Sequence, residues 1–211
     1  MLILVCGYRG TGKDTLYKQF INQLEFNWII LKHPKINKRF IIKPSGQLSF
    51  AAKLKQEVLT YLGLPSSFDI EQFKNNTLQT IEQVTGLFIN VDIDKTRTLR
   101  DYFIDYGETK RLQYPYHWCQ QTLENINPKD DYMITDWRFK AEYDFINNLG
   151  YPINTIRVYR HDVHIPPLIS SEHDLDYFQT DFVLIPRFNY ELEIKSLLNV
   201  FPQYQDYIKI N

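Results

Sequence analysis

Three glycines and a lysine follow the first apolar segment of the chain at a spacing that suits phosphate binding. Leu2–Cys6 is a short apolar run, and Gly7, Gly10, Gly12 and Lys13 come directly after it. Glycines adopt backbone angles that a Cβ forbids, so successive N–H groups can turn inward around an anion at the start of a helix. A lysine ammonium can follow the charge along a phosphate chain. The pattern therefore predicts a phosphate-binding loop.

Residues 7–15 fit the P-loop core G-x-x-x-x-G-K, except that Asp14 stands where Ser or Thr is usual and the hydroxyl comes at Thr15. A glycine turn without a ligand is the ordinary alternative. The position between an apolar run and an amphipathic segment favours the P-loop. We expect Asp14 to point away or to reach Mg²⁺ through water, and Thr15 to place its hydroxyl at the phosphate. Exposure at the tip of the loop is the alternative for Tyr8 and Arg9. ATP binding is assigned to Gly7, Tyr8, Arg9, Gly10, Thr11, Gly12, Lys13, Asp14, Thr15 and, from a later strand, Arg160.

An Asp-x-Arg pattern, Asp136 and Arg138, follows the strand-like run 132–135. Ligands of open α/β sheets bind at the carboxyl ends of the strands, and a Walker-B-type carboxylate approaches Mg²⁺ from such an end. A surface salt bridge is the alternative. Arg160 ends the next strand-like run and is interpreted as a lid or adenine-side contact. The predicted catalytic residues are Lys13, Asp136, Arg138 and Arg160, and the predicted metal ligands are Thr15 and Asp136.

The periodicity of apolar residues predicts alternating strands and helices. Runs typical of strands lie at 2–6, 47–50, 132–135, 153–159 and 181–185, and helical spacing occurs at 13–24, 53–62, 140–149 and 190–201. Between 99 and 126 the pattern predicts two or three short helices broken near Gly107 and Pro115. We therefore expect an α/β protein of the P-loop NTPase type, with a five-stranded parallel sheet covered by helices.

The chain of 211 residues predicts a single domain, 1–211, with insertions. A hairpin is expected at 28–43, an acceptor-binding region at 50–126 and a lid at 161–180. The structure of 66–96 is left open, although 87–93 is β-like.

Composition excludes several classes of protein. The formal net charge of -1 leaves no global field to hold a nucleic-acid polymer. No apolar run reaches the roughly 18 residues that span a bilayer, so no membrane partner is expected. Cys6 and Cys119 lack metal-ligand spacing, which favours inert thiols in a reduced compartment. We expect a soluble, cytoplasmic protein.

Further motifs occur in a recognisable order. After the P-loop with its Asp14 come the segment 49–55 (Ser-Phe-Ala-Ala-Lys-Leu-Lys), Arg100 seven residues before Gly107, Asp136-Trp137-Arg138 and Ser171-Glu172. From about residue 2 to 186 this order resembles deoxynucleoside monophosphate kinases of the bacteriophage and large-DNA-virus type, within the nucleoside monophosphate kinase fold.

The resemblance implies ATP-dependent phosphorylation of deoxynucleoside monophosphates to diphosphates, with Mg²⁺ as cofactor. It implies a location in the host cytoplasm if the protein is viral, and a homodimer is left open. Solvated lysines are the alternative reading of Lys53 and Lys55, and a core position is the alternative for Trp118. The acceptor-binding residues that it implies are Phe50, Lys53, Lys55, Arg100, Trp118 and Arg138.

Two other functions remain as alternatives. Another small-molecule kinase of the same fold, of the phosphomevalonate or gluconate type, would share the P-loop. A nucleotide-binding switch is disfavoured because Asn-Lys-Arg-Phe at 37–40 lacks the Asp of a guanine-reading Asn-Lys-x-Asp, and 136–139 lacks the glycine of a switch motif.

Overall fold

The structure, a computed structural model, describes residues 1–22, 27–40, 44–90, 92–124, 126–165 and 173–208. It divides into two compact units, the first formed by Met1–Ser49 with Asn125–Asn211 and the second by Phe50–Glu124. The single domain expected for 1–211 stays a prediction. The second unit covers nearly the same residues as the insertion predicted at 50–126, and it is a unit of its own because its helices share a separate apolar cluster.

The first unit is built on a six-stranded sheet with the strand order β2-β6-β5-β1-β4-β3. Five strands are parallel, and β2 is antiparallel to its neighbour β6 at the edge. The strands are β1 (Leu2–Cys6), β2 (Trp28–Lys32), β3 (Gly46–Leu48), β4 (Tyr132–Ile134), β5 (Ile153–Val158) and β6 (Phe182–Pro186). The α/β prediction is therefore confirmed, with a sixth strand added to the predicted five.

The extra strand comes from the run that was expected to form a hairpin at 28–43. In the described part of the chain, β2 pairs with β6, for example Ile30 with Leu184. Residues 41–43 lie outside the described part of the chain. Phe40 is not in a strand, and its ring packs against Phe182 with the centroids 4.9 Å apart. The hairpin stays a prediction, because most of its second arm lies outside the described residues, and its first arm joins the edge of the sheet as β2.

The helices are α1 (Lys13–Asn22), α2 (Phe50–Leu62), α3 (Ile70–Phe73), α4 (Leu78–Thr85), α5 (Leu99–Gln113), α6 (His117–Leu123), α7 (Lys140–Asn148) and α8 (Tyr190–Val200), followed by the 3₁₀ helix Pro202–Tyr207. Those of the first unit cover the sheet on both faces. Alternate residues of a strand point to opposite faces. On β6, Leu184 packs in the cluster that contains Leu16 of α1, whereas Ile185 packs with Leu197 of α8.

The second unit consists of α2 to α6 around a core that includes Val58, Leu62, Leu78 and Ile81. Contrary to the sequence prediction, α5 runs unbroken through Gly107. A Cβ at this glycine would lie 3.2 Å from a methyl carbon of Leu54, so the residue allows α2 and α5 to pack closely.

Two further sequence expectations concern helices and strands of the second unit. The helix break near Pro115 is confirmed, and the segment 66–96, left open above, contains α3 and α4. The β-like stretch 87–93 forms no strand in its described residues, and Val91 lies outside them.

In the described ranges, no helix has both the length and the apolar character needed to cross a membrane.

Candidate functional site

A cavity of about 400 Å³ opens at the edge of the sheet where β1, β4 and β5 end. Because these strands are parallel, the residues that follow them meet at this edge. The lining comes from the loop after β1, the start of α1 and the residues after β4, completed by a residue of β5 and one preceding β6: Cys6, Gly7, Tyr8, Arg9, Gly10, Gly12, Lys13, Asp14, Thr15, Thr135, Asp136, Trp137, Arg138, Arg157 and Leu175.

The glycine loop, residues 7–12, has a shape that requires glycine. Gly7, Gly10 and Gly12 have φ values of 142°, 89° and 95°, where residues with a Cβ are strained. A Cβ on Gly7 would overlap the carbonyl oxygen of Val158 and lie 2.9 Å from the hydroxyl of Thr11. Thr11 itself is buried and donates its hydroxyl to the carbonyl of Tyr8 at 2.9 Å, which fixes the turn.

Gly7→Ala is expected to destabilise the protein more than a glycine replacement strained only in its backbone. An L-residue in the left-handed region costs roughly 1–2 kcal/mol, and the overlap with Val158 adds to this, for about 3 kcal/mol or more in total. Gly150→Ala is the matched control, since its φ is 77° and nothing lies within 4 Å of its added Cβ. Urea unfolding of both variants tests the difference, and equal losses would show that the close approach to Val158 does not constrain the loop.

Lys13 places its ammonium inside the loop. Its Nζ donates hydrogen bonds to the carbonyls of Gly7 at 2.6 Å and Tyr8 at 2.9 Å. The loop therefore curves around a positive charge that also lines the cavity. An anion in the cavity would meet both the ammonium and the amino end of α1.

Asp14 lines the cavity on the side of β4 and is held there by two polar neighbours. Thr135 donates its hydroxyl to Asp14 Oδ1 at 2.7 Å. The amide of Gln47 donates to the same oxygen at 3.3 Å and to the Thr135 hydroxyl at 2.8 Å. Sequence reasoning missed Gln47 and Thr135, although their places near the carboxyl ends of β3 and β4 were a usable signal.

Asp136 and Arg138 line the cavity from the end of β4, and Trp137 between them also lines it although its side chain is buried. Ser49 donates its hydroxyl to Asp136 Oδ2 at 2.7 Å. The backbone N–H of Arg138 donates to Glu142 Oε2 at 3.0 Å, which fixes the turn into α7. The structure therefore brings the Asp-x-Arg pair and the glycine loop together, as the sequence predicted.

The oxygen donors of this cavity are of the kind that Mg²⁺ prefers, since Asp14, Thr15 and Asp136 all line it. Mg²⁺ at nucleotide sites typically takes one or two protein carboxylates and completes its shell with water and phosphate oxygens. No group of three or more His, Cys, Asp or Glu side chains suited to a metal occurs within the described residues.

Arg160, predicted as a catalytic and ATP-binding residue, is not among the residues that line the cavity. Its guanidinium makes two hydrogen bonds to Asp162, at 2.9 and 2.6 Å. This bidentate pair also raises the pKa of Arg160 above its usual value. The guanidinium of Arg160 therefore binds Asp162 of the same loop, and Arg160 is not among the residues that line the cavity with Lys13.

The predicted lid, 161–180, is described only in part. Residues 166–172, which include Pro166-Pro167 and Ser171-Glu172, lie outside the described residues. Within 173–180, Phe178 packs edge-on against Trp137 at 5.0 Å, and its carbonyl accepts a hydrogen bond from the Tyr204 hydroxyl at 3.0 Å. This part of the predicted lid therefore packs against other residues of the first unit, to which it belongs.

Sequence reasoning also missed Arg157, a charged residue inside the apolar run of β5. It lines the cavity although it is only 2% exposed. The one available signal was its type, since an arginine is rare in a strand buried on both faces.

The first unit thus gathers a glycine loop, a lysine and two carboxylates at one sheet edge. No model of a known protein family matches the chain, and no curated protein matches it. The residues themselves and the order of their motifs are therefore the basis on which a function is inferred.

The aromatic residues implied in acceptor binding belong to the second unit. Phe50 begins α2 and is buried. Trp118 is 3% exposed, and its indole N–H donates to the carbonyl of Gly107 at 3.4 Å. Its ring also packs at a right angle to that of His117, at 4.6 Å. These contacts favour the alternative reading of Trp118 as a core residue.

The basic residues implied in acceptor binding differ in their surroundings. Lys53 and Lys55 lie on α2, and Lys55 forms a long ion pair of 3.4 Å with Glu71. Arg100 is exposed in the first turn of α5, where its backbone N–H donates to the carbonyl of Lys74 at 2.8 Å. Its guanidinium makes no hydrogen bond or ion pair with any described residue. Of these cations, Arg100 is the best placed to bind an anion from solution.

Proposed function

We propose that the chain is a P-loop kinase that transfers the γ-phosphoryl group of ATP to a deoxynucleoside monophosphate and yields two diphosphates. The observation that carries the proposal is the glycine loop closed around Lys13 Nζ in a cavity that Asp136 and Arg138 also line. A glycine loop alone would support phosphate binding. The carboxylate and guanidinium at the same edge add the groups that phosphoryl transfer requires.

On the donor side, the backbone N–H groups of the glycine loop and the ammonium of Lys13 bind the phosphate chain of ATP. Asp14, Thr15 and Asp136 are the residues that would hold Mg²⁺ with its water, and the ion supplies neutralising charge at the phosphates when bound. Thr135 and Gln47 fix the carboxylate of Asp14 from the β4 side. Ser49 does the same for Asp136.

On the acceptor side, the chemistry needs no general base. The second pKa of a phosphate monoester is about 6, so the acceptor is already a competent nucleophile at neutral pH. Catalysis then depends on alignment of the two phosphates and on neutralising their charge. Arg138, exposed at the cavity, supplies a planar cation that can accompany the transferred group.

Arg100→Lys is expected to raise the KM for the acceptor by roughly 10-fold while the affinity for ATP stays unchanged. A guanidinium binds a terminal phosphate with two parallel hydrogen bonds, and lysine keeps the charge but loses this fork. The loss of one charge-assisted hydrogen bond corresponds to about 1.5 kcal/mol. Steady-state kinetics with each substrate varied in turn measures the effect.

Arg97→Lys is the matched control for Arg100→Lys. Arg97 lies three residues earlier in the same unit, but its guanidinium is already paired with Asp105 at 2.5 Å and lies over the ring of Tyr102. We expect the control to leave both KM values near those of the unchanged protein. A defect of Arg100→Lys confined to ATP affinity would contradict its assignment to the acceptor.

The test of the proposed function is an acceptor panel. ATP and GTP are first titrated against the protein, and turnover is then measured with ATP and each deoxynucleoside monophosphate, each ribonucleoside monophosphate, phosphomevalonate and gluconate. We expect ribonucleotides to be roughly 10-fold poorer acceptors, since burial of an unpaired 2′-hydroxyl costs about 1–3 kcal/mol. Turnover only with a non-nucleotide would favour the other kinase class, and tight GTP binding without any transfer would favour a switch.

A further inference from the structure

One side chain in the cavity wall is a buried cation that the proposal above does not use. Arg157 lies on β5, in register with Cys6 at the end of β1. It is 2% exposed and nevertheless lines the cavity. A guanidinium keeps its charge at any ordinary pH, and a buried charge is costly unless an opposite charge or hydrogen bonds compensate it. The groups around Arg157 therefore show how far its charge is compensated.

Among the described residues, the groups that hydrogen-bond to this guanidinium are neutral. Its Nε donates to the hydroxyl of Tyr204 at 2.8 Å, and Nη2 donates to the carbonyl of Leu175. Its Cζ lies 4.4 Å from the centre of the Phe201 ring. In the described ranges these two hydrogen bonds are all it makes, and no carboxylate forms an ion pair with it. Since a guanidinium has five N–H donors, most of its donor capacity is not used by this part of the chain.

The carboxylate of Asp176 makes its described hydrogen bonds with groups other than Arg157. Asp176 Oδ2 accepts a hydrogen bond from the Tyr8 hydroxyl at 3.0 Å and lies 2.6 Å from His173 Nδ1. Its second oxygen, Oδ1, is buried and makes no hydrogen bond to any described residue. The described contacts of this acid are thus with Tyr8 of the glycine loop and with His173, and its charge acts on Arg157 without an ion pair between them.

We propose that Arg157 binds an oxygen of the nucleotide phosphate chain from the β5 side of the cavity. The proposal rests on the proposed function, which assigns that chain to the glycine loop. Asp14 and Asp136 line the opposite, β4 side together with Arg138, so the phosphate chain would lie between Arg157 and the carboxylates proposed to hold Mg²⁺. Arg157 then supplies, within this unit, an arginine for ATP binding, a role that the sequence had assigned to Arg160 as a lid or adenine-side contact.

Binding of inorganic tripolyphosphate, measured by calorimetry without any acceptor, tests the inference. Arg157→Met is expected to weaken binding roughly 10- to 100-fold, as the loss of charge-assisted hydrogen bonds predicts. Arg187→Met is the matched control, because Arg187 is exposed just after β6 and does not line the cavity, and it should bind as the unchanged protein does. A folded Arg157→Met protein with unchanged affinity would overturn the inference.

A second measurement uses the unchanged protein, in case Arg157→Met does not fold. The ¹⁵N resonance of Arg157 Nε, assigned with Arg157→Lys, is expected to shift when tripolyphosphate is added. A resonance that stays in place while the ligand binds, or a protein that does not bind tripolyphosphate at all, would overturn the inference. Neither measurement involves turnover, so a protein that binds tripolyphosphate through Arg157 but transfers nothing contradicts only the proposed function. An active kinase with an unresponsive Arg157 contradicts only the inference.

Discussion

Lys13→Ala is expected to lower kcat at least about 100-fold while leaving the fold intact, the size of effect seen for single electrostatic stabilisers of a transition state. The ammonium lies inside the glycine loop, bonded to the carbonyls of Gly7 and Tyr8. In the proposed reaction, alanine removes the charge that would follow the phosphoryl group during transfer. Turnover with saturating ATP and acceptor measures the loss, and thermal unfolding checks the fold.

Lys18→Ala is the control for this variant. Lys18 lies on the same helix, α1, and is exposed away from the residues that line the cavity. The control should retain the turnover of the unchanged protein. If Lys13→Ala, correctly folded, also retains it, the glycine loop is not the site of phosphoryl transfer.

Asp136→Asn is expected to have the second largest effect, a loss of about 100-fold in kcat at ordinary Mg²⁺ concentration. Asparagine keeps the size of the side chain and can still accept the hydrogen bond from Ser49, but it removes the negative charge that would attract the ion. The rate should therefore recover in part as the Mg²⁺ concentration is raised. Kinetics over a Mg²⁺ titration measures both effects.

Asp144→Asn is a suitable comparison, since Asp144 lies on α7 in an exposed pair with Lys140 at 2.6 Å and surface pairs contribute little. Its rate and Mg²⁺ dependence should match those of the unchanged protein. An Asp136→Asn protein with the same Mg²⁺ dependence as Asp144→Asn would remove Asp136 from the metal site.

Much of the cavity in the first unit could be predicted from sequence because its signals are local. The glycine loop, Lys13 and the first turn of α1 are contiguous, so one motif with its flanking apolar run specifies them. Asp136 and Arg138 were predicted from a strand end, and the parallel sheet brings every such end to one edge. Because β1 and β4 are in register, with Leu4 opposite Ile134, the residues that follow these two strands lie close together.

The remaining features depend on partners distant in sequence. Whether Arg157 faces the cavity or the core depends on the register of β5 with β1, and periodicity does not set that register. β2 was assigned to a hairpin because its antiparallel partner, β6, comes some 150 residues later in the chain. Arg160 is the exception, since the carboxylate that binds it, Asp162, is visible two residues away in the sequence.

In the second unit, Gly107 and Trp118 make contacts that their residue types alone do not predict. Gly107 looked like a helix breaker, but α5 passes through it because the missing side chain admits Leu54. The resemblance implies acceptor binding for Trp118, whereas its contacts with His117 and Gly107 favour the core position that was the alternative. A sequence identifies the type of a side chain more readily than what it will contact.

The central claim is phosphoryl transfer to a deoxynucleotide, and one labelling experiment addresses it directly. The protein is incubated with Mg²⁺, ATP labelled at the γ-phosphate and a mixture of the four deoxynucleoside monophosphates, and the products are separated. We expect the label in a deoxynucleoside diphosphate, matched by an equal amount of ADP, and none with Lys13→Ala. Label that stays in ATP, or appears only as inorganic phosphate, would contradict the claim.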